Sequence, residues 1–284
     1  MAGREDNVRI FEDSMKLCKK NERLKESIKN STLGQEMYDV TFKVENGTTG
    51  EKSLTRYEKP AEVIVSKKRT LEAAKVFSGK KVCVLNFASA TNPGGGVTRG
   101  STAQEECICR CSTLYPLINE KKMWDMFYGP HRKLNNPLYN DDCIYTPNVT
   151  VFKSDTASPS LLKEREWYDV NVITCAAPNL RKRPSNMMNP HAGSAPVKIT
   201  DKELKELHIK RGRKILQIAA AQGNEVVILG AFGCGAFENS PMVVAESYKE
   251  LVEEFRYQFE TIEFAVYCPP NKPLNYDVFK RVIV

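Results

Sequence analysis

The spacing of apolar and polar positions changes along the chain, and the changes mark its elements. In the first thirty residues Val8, Phe11, Met15 and Cys18 recur at helical spacing, which predicts one amphipathic helix. After Asn30 the pattern weakens, and NGTTGEKS, Asn46–Ser53, reads as a turn or loop. From about residue 60, short apolar runs alternate with helical spacing. Ala61–Val65 reads as a strand. Thr70–Phe77 reads as a helix with Thr70 as N-cap and Gly79 just past its end. Lys81–Phe87 is a strand of buried type, and a helix is expected from near Thr102 to about Leu117.

Further along, Cys143–Phe152 suggests two short strands broken at Pro147, and Tyr168–Ala176 suggests another. Asp201–Gln222 is a long helix whose core stripe is Leu204, Leu207, Ile215 and Ile218. Glu225–Gly230 is a strand, Met242–Phe259 a helix and Thr261–Cys268 the last strand. The continuous apolar run of Glu225–Gly230 fits a sheet covered on both faces. Alternating strands and helices predict an α/β domain over residues 61–284, with residues 1–60 as a helical extension packed on it.

Composition narrows the class. The chain has 284 residues, 41% of them hydrophobic, enough for a packed core. The formal net charge of +7 suits an anionic ligand. Lysines spread along helical segments form solvated faces, so nucleic acid is possible but not indicated. Nine cysteines form no CxxC pair, which points away from zinc ribbons and redox motifs and toward a reducing compartment. Cys107 and Cys111 share one helix face while Cys109 points elsewhere, and all read as small packing residues. The charged N-terminus has no apolar signal core and no run reaches membrane-spanning length, so a cytoplasmic protein is expected.

Two glycine-rich turns follow predicted central strands: NPGGGVTRGS from Asn92 and GAFGCGAFENS from Gly230. Beyond the carboxyl ends of strands, such turns bring backbone N–H groups and a helix N-terminus to an anion. Neither turn is a nucleotide fingerprint, since the first lacks the Walker lysine and the second lacks the third glycine of GxGxxG. Glu105 and Glu106 fall in the first turn of the next helix, about 100° apart around its axis, so they serve different roles. A carboxyl beside phosphates in a dry cleft holds its proton and suits general-acid attack on a glycosidic bond.

The stretch NFASATNPGGGVTRGSTAQEE resembles the signature of bacterial-type poly(ADP-ribose) glycohydrolases, macrodomain proteins with three glycines followed at six to eight residues by Gln-Glu-Glu. Here seven residues separate Gly96 from Gln104. RTLEAA, STLYPLI, VITCAAPN and GAFGCGAF are similar to family segments in the same order, covering about residues 60 to 268. The resemblance implies a three-layer α/β/α macrodomain-like sandwich with a central mixed sheet. It implies hydrolysis of the ribose–ribose bonds of poly(ADP-ribose) with release of ADP-ribose, without metal or cofactor. None of His131, His191 and His208 stands in ligand spacing, and each reads as a loop or surface residue.

The same resemblance implies residue roles. Glu106 is the general acid/base, Glu105 orders the scissile ribose through its hydroxyls, and Gln104 braces their helix. Gly94, Gly95, Gly96 and Val97 line the ribose and diphosphate, and Asn92 hydrogen-bonds a ribose hydroxyl. Gly233, Cys234, Gly235, Ala236 and Phe237 wrap the diphosphate, with Phe237 against the ribose at the cleaved bond. Glu238 departs from the small residue expected there and is read as facing solvent or capping the next helix. Two other readings stay open: a non-catalytic ADP-ribose reader, and a hydrolase of mono-ADP-ribosylated protein or nucleic acid.

Overall fold

The computed structural model describes residues 3–42, 55–187, 189–269 and 271–284; the turn expected at Asn46–Ser53 lies outside them. Helices α1 (Arg4–Lys20) and α2 (Glu22–Leu33) lead into the short strand β1 (Glu36–Tyr38). Next come β2 (Glu62–Ser66), α3 (Thr70–Val76), β3 (Val82–Phe87), α4 (Gln104–Cys111) and α5 (Leu114–Ile118). Short helices α6 (Lys121–Met123) and α7 (Gly129–Leu134) flank a π-helical turn at Trp124–Tyr128. Strands β4 (Cys143–Val151) and β5 (Tyr168–Cys175) precede α8 (Asp201–Ala221). Then β6 (Val226–Leu229), α9 (Pro241–Phe255), β7 (Thr261–Ala265) and α10 (Leu274–Ile283) follow.

The seven strands form one mixed sheet in the order β1-β4-β5-β3-β6-β7-β2. Pairing is parallel from β5 through β3, β6 and β7 to β2, and β4 runs antiparallel to both β5 and β1. Successive strand residues point to opposite faces. Val82, Val84, Val226 and Ile228 pack with Leu71 and Ile108 on one side. Cys83, Leu85, Val227 and Leu229 pack with Ile215, Leu251 and Phe264 on the other. Both faces are therefore covered by helices, as the apolar runs predict. From β3 the chain passes to β5 on one flank and β6 on the other, and ligand crevices open at such a divergence beyond the strand ends.

Several boundaries differ from the sequence expectation. The single N-terminal helix is two helices: Asn21 leaves helical geometry and its Oδ1 accepts the Leu24 N–H at 3.1 Å. Thr70 is the first helical residue, with Arg69 at the N-cap. The helix expected to reach Leu117 stops at Cys111, whose carbonyl accepts the N–H groups of Phe152 (2.9 Å) and Lys153 (3.1 Å), and α5 then starts afresh. Residues Cys143–Val151 form one strand rather than two. Thr146 pairs with Val172 but Val149 with Val170, so Pro147 and Asn148 bulge without breaking it. Helix α9 ends at Phe255 instead of Phe259, and β7 ends at Ala265. Strand β1 and helix α10 were not foreseen; β1 places residues before position 60 at the sheet edge, against β4.

Helix α8 holds the largest surprise. Leu207 is only half-buried, while His208 and Arg211 are buried. Arg211 donates to Asp141 Oδ1 (3.0 Å) and to the carbonyls of Ala176 (2.7 Å) and Leu138 (3.1 Å). His208 Nε2 meets Asn239 Oδ1 at 2.9 Å, and burial pushes its pKa down to about 4. His131 is also buried, so only His191 is the exposed loop residue expected of all three. These buried polar groups tie α8 to the loops after β5 and β6.

Candidate active site

The segment after β3 coils tightly. Gly94 (φ +67°) and Gly95 (φ +56°) occupy the left-handed region that favours glycine. A Cβ on Gly95 would lie 2.6 Å from Glu106 Oε1 and 3.1 Å from Glu105 Oε2, and one on Gly94 would lie 2.7 Å from the Tyr115 ring. The glycines thus make room for the two carboxyls and a neighbouring ring. The Asn92 side-chain amide donates to the Gly95 carbonyl and closes the coil.

Gln104 clamps the start of α4 to the end of β3. Its Oε1 accepts the Phe87 N–H at 2.8 Å, and its Nε2 donates to the Leu85 carbonyl (2.7 Å) and Thr70 Oγ1 (3.0 Å). With that turn fixed, Glu105 points to the loop after β3. Its Oε2 accepts the Ser89 N–H at 2.8 Å, and Asn86 Nδ2 stands 3.4 Å from Oε1. Glu106 Oε1 accepts the Gly96 N–H at 2.9 Å, and Oε2 is buried with no protein partner.

Both carboxyls are less than a tenth exposed. Burial raises the pKa of Glu105 well above the usual carboxylate range, and the neighbouring Glu106 adds to it. Burial also raises Glu106, opposed by the Gly96 N–H and by the Arg110 guanidinium. The pair therefore holds proton at pH values where exposed glutamates have lost it.

The loop after β6 forms the opposite wall. Gly233 (φ +80°) is pressed between Ala177 and Asn239, where a Cβ would lie 2.7 and 2.8 Å from their atoms. Asn239 Nδ2 donates to the carbonyls of Pro178 (2.7 Å), Gly233 (3.1 Å) and Phe237 (3.2 Å) and fixes the loop. Among the described residues, the N–H groups of Gly233, Gly235, Ala236 and Phe237 donate to no protein acceptor. Such a row of free N–H groups is an anion cradle. The Phe237 ring packs 6.1 Å from Tyr139.

These walls enclose a cleft of about 960 Å³. Gly95, Gly96, Gln104, Glu105 and Glu106 line it from one side, and Gly233, Gly235, Ala236 and Phe237 from the other. Four expected residues do not line it. Asn92 is committed to the Gly95 carbonyl, Gly94 lies against Tyr115, Val97 is wholly buried, and Cys234 packs on the core. Glu238 is exposed at the rim, and Ser240 rather than Glu238 caps α9.

Sequence reasoning missed other parts of the cleft. Ser89 positions Glu105 and also meets Asn189 Oδ1 at 2.7 Å. Arg69, stacked 4.0 Å over the Tyr267 ring, forms one end. Arg4 and Asn7 of α1 reach the mouth, where the Asn7 amide donates to the Gly100 carbonyl at 3.3 Å. Only the helical spacing of α1 hinted at its docking; nothing in it marked a cleft contact. Cys107, Cys109 and Cys111 are all buried, in keeping with packing roles. Among the described residues no group of three or more His, Cys, Asp or Glu side chains is placed to hold a metal ion.

A family profile described as microbial-type PARG, catalytic domain, matches residues 5–154 of the chain. No curated protein sequence matches it. Among solved structures, poly(ADP-ribose) glycohydrolase (PARG) from Thermomonospora curvata is similar, with 28% identity, 98% of this chain and 99% of that one covered, and a TM-score of 0.79. The same protein bound to the inhibitor ADP-HPD matches with 28% identity over 98% and 99% of the two chains and a TM-score of 0.77. The Deinococcus radiodurans PARG in complex with ADP-ribose matches with 30% identity over 90% and 96% of the chains and a TM-score of 0.71.

Proposed function

The chain belongs to the microbial-type PARG catalytic-domain family, and from that premise we propose how its own residues cleave the polymer. It is a poly(ADP-ribose) glycohydrolase: it hydrolyses the ribose–ribose O-glycosidic bond and releases ADP-ribose. One observation carries the residue assignment. In a cleft large enough for a nucleotide, Glu106 keeps one oxygen on the Gly96 N–H and leaves the other without a partner.

The terminal ADP-ribose lies across the cleft with its diphosphate on the free N–H groups of Gly233, Gly235, Ala236 and Phe237. Glu105 accepts hydrogen bonds from the hydroxyls of the scissile ribose, and Phe237 packs on that sugar. Protonated Glu106 donates from Oε2 to the bridging oxygen. The C–O bond breaks, the electron pair goes to that oxygen, and an oxocarbenium ion remains on the bound ribose. The diphosphate supplies nearby negative charge. Glu106, now a carboxylate, takes a proton from water as the water oxygen bonds to the anomeric carbon, which restores the acid. Glu106 alone is the proton carrier in this scheme.

In this reading residues 61–284 carry the catalytic residues, and residues 1–60 are an accessory segment that adds Arg4 and Asn7 to the cleft lining. No described helix is long and apolar enough to cross a membrane. We place the enzyme in a reducing cytoplasm, where its cysteines stay free. Side-by-side assays on purified polymer, mono-ADP-ribosylated protein and ADP-ribosylated DNA test the substrate. Release of ADP-ribose from polymer at the highest kcat/KM is expected. Faster turnover of a mono-modified substrate would overturn the assignment.

A further inference from the structure

We propose that the turn Arg181–Lys182–Arg183 at the cleft rim binds the diphosphate of the polymer unit on the leaving side of the scissile bond. The proposal rests on the glycohydrolase reading and adds a second phosphate site to it.

The turn is built rather than loose. Asn179 is fully buried at its base. Its Oδ1 takes the Arg181 N–H at 3.4 Å, and its Nδ2 donates to the Pro184 carbonyl at 3.1 Å. The three cations therefore project from a bracket closed at both ends by one side chain. Ser185 fastens the following segment to the Gly193 carbonyl at 2.8 Å. Arg99, from the glycine coil, holds it through the Met187 carbonyl at 2.6 Å. Fixing the backbone that carries the cations before binding lowers the entropy lost on contact.

Their position fits a neighbouring unit. The Leu180 N–H donates to the Phe237 carbonyl at 3.0 Å, so the turn starts beside the residue assigned to the cleaved sugar. Arg181 lines the same cleft as Glu106. The leaving group is the adenosine ribose of the next unit, and that ribose carries its own 5′-diphosphate. Negative charge must therefore emerge within one sugar of the broken bond.

The charges are free to receive it. Lys182 and Arg183 are exposed, Arg181 is half-buried, and among the described residues none of the three forms an ion pair. Glu238, exposed on the adjoining loop, is the opposing charge at this rim. The terminal unit already has the N–H row of the second loop, so these cations serve a different phosphate pair.

The test uses the full chain carrying Lys182→Gln and Arg183→Gln together. KM for purified polymer should rise about tenfold with kcat held, and the slope of log KM against log salt should fall by about one per lost phosphate contact. Affinity for free ADP-ribose should not change. Polymer binding measured directly in a Glu106→Gln background should weaken to the same degree. An unchanged KM and salt slope would overturn the proposal. So would an equal loss of free ADP-ribose affinity, which would assign the turn to the terminal unit. Lost affinity for single-stranded DNA with polymer KM unchanged would assign it to nucleic acid instead. If the wild type released no ADP-ribose, the glycohydrolase reading would fall, while the direct polymer-binding comparison would still decide the subsite.

Discussion

The Gly96 N–H donates to Glu106 Oε1 at 2.9 Å, so the acidic proton of that carboxyl belongs on the unpartnered Oε2. Donation by a backbone N–H fixes which oxygen is an acceptor, and burial keeps the proton on the other. The N–H thus orients the carboxyl, while burial raises its pKa against the pull of that same N–H. For a general acid the sign is clear: activity is present while Glu106 is protonated. The alkaline limb of kcat against pH should therefore lie above the ordinary glutamate value of 4.5. A rate that rises through that range, as for a group needed ionised at the outset, would contradict the assignment.

Glu105 carries a stability consequence. Its folded pKa is raised well above 4.5, chiefly by burial and then by Glu106. A carboxyl raised in the folded state favours folding below its unfolded pKa, and that contribution is lost as pH rises toward the folded value. Glu105→Gln removes the titration while keeping an acceptor for the Ser89 N–H. The variant should gain thermal stability relative to wild type as pH rises from 4.5, while its turnover drops. A stability difference independent of pH, followed by calorimetry, would refute this.

Gly95→Ala should damage catalysis more than folding. The new Cβ would lie 2.6 Å from Glu106 Oε1, and φ of +56° strains any side chain. The strain costs about 1 kcal/mol. Displacement of both carboxyls should lower kcat by about a hundredfold or more, since small misplacements of reacting groups carry that penalty. Comparing kcat with the chemical denaturation midpoint checks the split.

Gln104→Ala leaves the Phe87 N–H and the Leu85 carbonyl without their partner at the base of the cleft. A loss of about 1–3 kcal/mol in unfolding free energy is expected. KM and kcat should both worsen because α4 loses its anchor to β3.

The parts of the fold legible in the sequence were those with strong period and strong punctuation. β3, β6 and α8 lie within a residue of expectation because continuous apolar runs mark the strands and a helical apolar stripe marks α8. The three-residue β1 escaped because Glu36–Tyr38 is too short to show alternation. The end of α4 escaped because its cause, the pairing of Cys111 with Phe152 and Lys153, is forty residues away. The glycine coil and the Gln-Glu-Glu step could be read because they are contiguous. The family resemblance supplied the unequal roles of the two glutamates. Their contact with Gly95 could not be read, and it adds a reason for the glycine: room for the carboxyls. His208 and Arg211 were hidden because a charged residue on a helix usually marks a solvated face, and only tertiary contacts reveal a buried tie.

The most direct test of the account is Glu106→Gln, assayed for ADP-ribose release from purified polymer and for ADP-ribose binding in the same preparation. Loss of about 10²–10⁴-fold in turnover with binding intact is predicted, the usual size of a general acid/base contribution. Near-wild-type release by the variant, or tight binding without any release by the wild type, would contradict it.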